Sequence, residues 1–384
     1  MFLPLPLLSA LLHLYTGWRL LTVWWSHPLV FAGLAALLAV SSVLLPWSLR
    51  PPGFLAGSRW AGALKVAGLV CMGFFSSLLV LTLLRDVLLL LAAAGTLLVP
   101  AADGKAALLS LRFAQGIPLL ALAVTALGFV NARRTAAVRR IDVPIAGLPP
   151  GLDGFTIAQM SDIHVGPTIR KAYVAALVQR VNTLGADLVA ITGDLVDGTV
   201  PALREHVAPL AGLQSRHGTF FVTGNHEYYA GAHAWIAELR RIGMRVLLNS
   251  HVVLPAATRG GAPLVLAGVA DYGAGHFDPA HRSDPQRALE GAPSGAGARV
   301  LLAHQPRSAA AAAEAGFDLQ LSGHTHGGQF WPWNHFVRFQ QPFTAGLHRL
   351  GRLWVYVSRG TGYWGPPKRF GAPSEITLLR LVPA

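Results

Sequence analysis

The uneven distribution of charge constrains this chain most. Of its 31 basic and 18 acidic residues, only seven and two lie in residues 1–132: Arg19, Arg50, Arg59, Lys65, Arg85, Asp86, Asp103, Lys105 and Arg112. That leaves 24 basic and 16 acidic residues for 133–384. A soluble domain needs a solvated polar surface, and the first third of this chain cannot supply one, so it reads as membrane helices. The remainder has the balance of a mildly basic globular domain. At 53% hydrophobic and 13% charged residues overall, the chain is excluded from the disordered class. Its one cysteine, Cys71, excludes a disulfide framework and a thiolate zinc site, and reads as a buried small residue.

Four apolar runs approach the ~20 residues of a bilayer-spanning helix. They lie near Leu3–Trp25, Leu29–Trp47, Gly62–Leu84 and Ile117–Val130. Pro51, Pro52 and Gly53 mark a turn after the second. Trp24, Trp25, Trp47 and Trp60 stand at run ends, where an aromatic belt belongs. Val87–Val99 is apolar but short: it continues the third helix, lies at the interface or begins a fifth crossing, and four spans is the reading adopted. A cleaved signal peptide is disfavoured, since no basic segment precedes the first run and three more follow. Arg85-Asp86 reads as an interfacial pair near a helix end, with an intramembrane functional pair as the alternative. With four spans, the loop of Arg50 and Arg59 and the cluster Arg133, Arg134, Arg139, Arg140 share one side. The positive-inside rule makes that side cytoplasmic, which predicts a multi-pass plasma (inner) membrane protein with residues 133–384 in the cytoplasm.

From Ile141 the rhythm changes. Val143-Pro144 and Leu148–Gly151 read as extended linker and turn, so 133–150 is expected to be a basic, Pro-rich linker. Residues 151–384 alternate short apolar strands with helical segments at Thr168–Asn182, Ala232–Ile242 and Pro306–Ala315, each with a glycine just past its end. That alternation predicts an α/β domain.

Five strand-like segments each end in metal-type residues. Phe155–Met160 leads to Asp162 and His164; Leu188–Ile191 to Asp194 and Asp197; Thr219–Val222 to Asn225, His226 and Glu227. Val300–Leu302 leads to His304, and Asp318–Leu321 to His324 and His326. Ligands of open α/β sheets bind beyond the carboxyl ends of strands. Carboxylate and imidazole without thiolate suit Mn, Fe, Zn or Ni. Asp162 and His164, two residues apart, can turn toward one ion. Asp194 has oxygens enough to bridge two ions, and Asn225 can bind one without adding charge. Paired ions about 3.5–4 Å apart would clamp a phosphoryl group and acidify a bridging water.

At these residues the sequence resembles the calcineurin-like metallophosphoesterase superfamily. The elements are Asp162-Ile-His164, Gly193-Asp194-Leu-Val-Asp197, Gly224-Asn225-His226-Glu227, His304 and Gly323-His324-Thr-His326. Gly224–Tyr229, Gly323–Gln329 and Ser358–Gly365 further resemble the bacterial branch that carries N-terminal transmembrane helices. The resemblance covers about 150–384 and implies two packed β-sheets flanked by helices, preceded here by an all-α transmembrane region. It implies a catalytic domain over 151–384 with two divalent ions. Asp162, His164 and His326 would hold the first, Asn225, His304 and His324 the second, and Asp194 would bridge. A metal-bound hydroxide would attack phosphorus, His226 would protonate the leaving oxygen, and Asp197 would orient a ligand histidine.

Glu227 is expected at the surface or behind the ligands, Asp271 in a polar loop or the cleft wall, and Arg359 is a candidate phosphate partner. His206, His217, His233, His251, His276, His281, His335 and His348 belong to no motif and read mostly as surface histidines. The expected function is hydrolysis of a phosphate ester, a phosphodiester or pyrophosphate of a lipid-linked or nucleotide substrate, beside a lipid bilayer. The alternative is a non-catalytic membrane receptor or accessory protein with a structural metal site. Retention of His226, which such a site does not need, disfavours it. No nucleic-acid partner is expected: much of the positive charge lies in or beside the membrane half, and the domain has no dense basic stripe.

Overall fold

The computed structural model describes residues 4–53, 58–96, 103–255 and 261–384, with the side chains of 96 and 103–111 left out. The chain divides into two compact units, Met1–Asn131 with Gly365–Lys368, and Ala132–Trp364 with Arg369–Ala384.

The first unit contains helices α1 (Leu5–Leu21), α2 (Pro28–Leu49), α3 (Ala61–Thr96) and α4, which runs Asp103–Arg133. Among the described residues, three stretches, Pro28–Leu49, Ala61–Gly95 and Arg112–Arg133, are long and apolar enough to cross a membrane. At 17 residues α1 spans about 25 Å, the lower limit for a crossing. Residues 87–96 continue α3, so Arg85-Asp86 falls inside that helix and not near its end. The rest of the Val87–Val99 stretch lies outside the described residues. Asp86 is held by both ends of the Arg19 guanidinium at 2.7 Å and by the Tyr15 hydroxyl at 2.6 Å. His13 is likewise enclosed, with Nδ1 2.8 Å from Ser9 O and Nε2 3.0 Å from Ser41 Oγ. Lys368 Nζ donates to Gly73 O at 2.8 Å and to Ser77 Oγ. At Gly68 a Cβ would stand 2.3 Å from Leu44 O, so only glycine lets α3 approach α2 this closely. Cys71 is half-buried.

The second unit begins with β1 (Ala137–Ile145), β2 (Thr156–Met160), α5 (Lys171–Asn182), β3 (Leu188–Thr192), α6 (Val200–Val207), β4 (Thr219–Val222), α7 (Asn225–Ala230) and α8 (Ala232–Arg241). It continues with β5 (Arg245–Val246), β6 (Ser250–Leu254), β7 (Leu264–Gly268), β8 (Ala298–Leu302), α9 (Ala309–Glu314) and β9 (Leu319–Ser322). The last strands are β10 (Gly346–Leu350), β11 (Leu353–Val357) and β12 (Glu375–Pro383). Two mixed six-stranded sheets form, in the orders β1-β12-β2-β3-β4-β5 and β10-β11-β9-β8-β7-β6.

Strand alternation sorts the side chains into layers. Leu188 and Ala190 of β3 enter the core between the sheets with Ile157, Phe220, Leu266, Val300, Leu319 and Leu379. Val189 and Ile191 face the other way, onto Val174, Leu177 and Val181 of α5 and onto Trp235 and Leu239 of α8. The second sheet turns Leu301, Val355 and Val357 toward Ala309 and Ala312 at α9. The result is two packed sheets flanked by helices.

The linker expected at 133–150 is corrected. Residues 137–145 are a full strand, paired in parallel with β12 over nine positions from Ala137–Glu375 to Ile145–Pro383. Arg139 meets Glu375 at 3.5 Å, and Asp142 meets Arg380 at 2.7 Å. Charge and Pro144 argued against a strand, but β1 is a sheet edge, where both are tolerated.

Candidate metal centre

Strands β2, β3, β4, β8 and β9 deliver the motif residues to one end of the sandwich. Two groups of ligand-type atoms form there. In the first, His164 Nε2 is 3.1 Å from His326 Nε2, which is 3.5 Å from Asp162 Oδ1. In the second, His304 Nε2 is 3.1 Å from Asp194 Oδ2 and 3.2 Å from His324 Nδ1. Asp194 Oδ2 is also 3.9 Å from His164 Nε2, so this carboxylate borders both groups. All three members of each group lie within 4.8 Å of one another.

The backbone is bent to achieve this. Among the described residues, seven non-glycine residues have positive φ, and five of them are Asp162, His164, Asp194, His324 and His326. Each such residue carries about 1–2 kcal/mol of strain, which persists only where the surroundings enforce it. Two glycines permit close approach. A Cβ on Gly224 would stand 2.2 Å from Asp194 Oδ1, and one on Gly323 would stand 2.1 Å from Asp162 Oδ2.

Hydrogen bonds behind the cluster fix which nitrogen faces inward. Asp197 Oδ1 accepts from His164 Nδ1 at 2.9 Å and from His226 Nδ1 at 2.7 Å. His304 Nδ1 donates to Thr192 O at 2.8 Å. Each bond holds a proton at Nδ1 and leaves Nε2 for a cation or substrate. Asn225 Oδ1 is buried and accepts no hydrogen bond. A buried amide oxygen without a donor is unfavourable unless a cation takes its place. Imidazole nitrogens stand 3.1–3.2 Å apart in each group, close to the separation of two nitrogen ligands on one tetrahedral cation. The donor set therefore fits two divalent ions with nitrogen and oxygen ligands.

Electrostatics split the cluster. Burial disfavours charge on His164, but Asp197, Asp194 and Asp162 outweigh it and lift the ring to about 9. Burial and the neighbouring His304 push His324 down to about 3. Burial opposes ionisation of Asp194, yet His304, His226 and His164 hold it well below the usual carboxylate range. Such divergence among convergent groups marks functional sites.

A model of the calcineurin-like phosphoesterase family matches residues 155–328. The chain is 38% identical over 299 residues to a transmembrane protein with metallophosphoesterase domain from Danio rerio, covering 76% of this chain and 68% of that one. This chain belongs to the calcineurin-like metallophosphoesterase family. The metallophosphoesterase is also 42% identical over 283 residues to the protein of the same description from Bos taurus, covering 70% of this chain and 63% of that one. An uncharacterized metallophosphoesterase of Aquifex aeolicus (strain VF5) is 31% identical over 246 residues, covering 64% of this chain and 91% of that one. The chain thus spans less than two thirds of the bovine relative's length. Relatives described as transmembrane proteins, with the apolar helices, support membrane association of this metallophosphoesterase.

Glu227 is not a surface acid. It is fully buried and accepts from the amides of Asp194 at 3.0 Å, Leu195 at 2.8 Å and Gly224 at 2.6 Å, bracing the β3 and β4 turns together. Burial and the nearby Asp194 raise its carboxyl to about 8. Asp271 is buried too, accepting from Gln305 Nε2 at 2.9 Å and Gly273 N at 2.7 Å. Arg359, the candidate phosphate partner, pairs with buried Glu375 at 3.1 Å. Sequence reading missed Arg369. This buried guanidinium donates to the carbonyls of His326, Arg359, Ala372 and Gly362 and lies 3.1 Å from His326 Nδ1. Its only signal was the basic pair Lys368-Arg369 in a Pro/Phe segment.

Proposed function

We propose that the chain is a membrane-anchored, dinuclear-metal-dependent phosphoesterase acting on a phosphodiester or pyrophosphate of a lipid-linked or nucleotide substrate. Asp162, His164 and His326 would hold one ion, Asn225, His304 and His324 the other, and Asp194 would bridge. The ions are Mn, Fe, Zn or Ni. The observation that carries this reading is the position of Asp194 Oδ2, 3.1 Å from His304 Nε2 and 3.9 Å from His164 Nε2. When bound, the ions supply Lewis acidity to the phosphoryl oxygens and acidify the attacking water.

His226 supplies the proton. Its Nδ1 is tied to Asp197 at 2.7 Å, and its side chain is 15% exposed at the mouth of the centre. In the protonated ring, Nδ1–H binds Asp197 and Nε2–H faces the cleft, where it passes to the departing oxygen. Asp197 fixes the ring plane.

The rim supports an apolar substrate portion. Tyr229 and Trp364, both exposed, pack their rings 5.3 and 5.9 Å from His226. Trp331, Trp333, Phe336 and Phe339 add exposed aromatic surface on the segment after β9. Basic residues flanking the helices favour a multi-pass inner-membrane protein with the catalytic unit in the cytoplasm.

The test uses the full chain in detergent, with Mn-dependent hydrolysis of an aryl phosphodiester and of the matching monoester. Diester turnover that His226→Ala abolishes while metal is retained supports the reading. No turnover of either ester by folded, metal-loaded protein rules it out for generic diesters and directs attention to a non-catalytic role.

A further inference from the structure

A second cluster of ligand-type side chains shares no residue with the centre described above. His233 Nε2, near the start of α8, is 3.0 Å from Asp278 Oδ2. His281 Nε2 approaches the same oxygen at 3.9 Å. One ligand atom from each of the three residues lies within 4.8 Å of the others. We propose that His233, Asp278 and His281 form a third metal site, selective for a borderline divalent ion such as Zn²⁺.

The spacing fits. Two ligands at 2.0–2.1 Å in a tetrahedral shell are about 3.3 Å apart. The pairs at the catalytic cluster run from 3.1 to 3.5 Å; in the peripheral trio the two edges to Asp278 are 3.0 and 3.9 Å, and all three ligand atoms lie within 4.8 Å, so closing on an ion takes a small inward shift of the histidines. Two imidazoles and one carboxylate exclude Mg²⁺ and Ca²⁺, which prefer all-oxygen shells. A fourth position is open to water, because the His233 side chain is 76% exposed.

The remaining atoms are already arranged for ligation. His281 Nδ1 is 2.9 Å from the Tyr228 hydroxyl, which in turn lies 3.4 Å from Thr223 Oγ1. With Nδ1–H donated to that oxygen, the Nε2 lone pair faces Asp278 and His233, the outer support that ligating histidines ordinarily have. Burial, offset in part by Asp278, lowers the affinity of His281 for a proton and favours the neutral ring a metal needs. Asp278 Oδ1 accepts from Ala280 N at 2.9 Å, which fixes the carboxylate and directs Oδ2 to the histidines.

An ion here would tie residues 278–281 to α8. The adjoining Phe277 packs its ring 5.6 Å from both Tyr228 and Tyr229, and Tyr229 abuts His226. The site would therefore order one wall of the catalytic mouth without entering the chemistry.

The experiment counts metal. The full chain in detergent is stripped with chelator, reloaded with Zn²⁺, desalted and analysed by mass spectrometry, beside His233→Ala and His281→Ala. Each variant should carry one equivalent less than the parent. His233 is exposed, so its truncation leaves folding intact. The same pair is repeated with Asp194→Asn, which removes the central ions. A loss of one equivalent on His233→Ala in that background supports a separate site even if the dinuclear reading fails. Equal zinc content with and without His233, in both backgrounds, overturns the proposal.

Discussion

The two units treat buried polar groups in opposite ways. In the helical unit two polar groups are enclosed: Asp86 takes three hydrogen bonds from Arg19 and Tyr15, and His13 engages both ring nitrogens with Ser9 and Ser41. At the metal centre of the sandwich unit polar groups converge and stop short. Imidazole nitrogens face each other, and Asn225 Oδ1 accepts nothing. An apolar bundle has no solvent to satisfy a polar atom, so each must find a protein partner. A metal centre is recognised by the reverse, several desolvated donors directed at space that only a cation can fill.

The largest effect is expected at the bridge. Asp194→Asn should lose bound metal and bring turnover to background, several kcal/mol of transition-state stabilisation, with the helical unit intact. Metal analysis and diester kinetics check it; full metal content in the variant would break the contrast between satisfied and open clusters. His226→Ala should retain metal yet lose about 10²–10⁴-fold in rate, read most clearly with a poor leaving group. An unchanged rate would mean that another group protonates the leaving oxygen.

Metal-free protein should report the buried charges. With His164 lifted to about 9 against an ordinary 6.5, its contribution to stability is fully present below pH 6.5 and is lost as pH rises through 9. The loss is on the order of 3 kcal/mol. Melting of chelated protein across that window should fall, and saturating zinc should remove the trend, since a ligating ring is neutral.

Gly68→Ala sets a Cβ 2.3 Å from Leu44 O and should destabilise the helical unit by about 1–3 kcal/mol, with zinc content unaltered. Denaturation followed by helical signal, beside metal analysis, would separate the two units. The smallest effect belongs to Asp197→Asn, an isosteric change that weakens the hold on His164 and His226. About tenfold in metal affinity or rate is expected, and a pH–rate profile would reveal whether His226 lost its acid limb.

The strand ends were legible because each carries its ligands within a few residues, as in Asp162-Ile-His164 and His324-Thr-His326. β3, β4 and β11 were legible too, as apolar runs bounded by turn residues. β1 was not, because its partner β12 lies more than 200 residues away and its own residues are charged. A catalytic fragment accordingly has to begin before Ala137. Glu227 could be read as a surface acid or as one behind the ligands, and only the three amides that converge on it separate the two.

The sequence by itself determined that one third of the chain is apolar helix, that the rest is an α/β domain, and which residue types meet at its strand ends. Periodicity, charge and short motifs are local properties, readable from neighbours in the chain. Only the tertiary structure decided that Asp197 serves both His164 and His226, that Arg369 lies against His326, and that His233, Asp278 and His281 meet. Apart from Asp278 and His281, which are three residues apart, those pairings join residues 29 to 48 positions apart, and distance in space depends on how the elements pack.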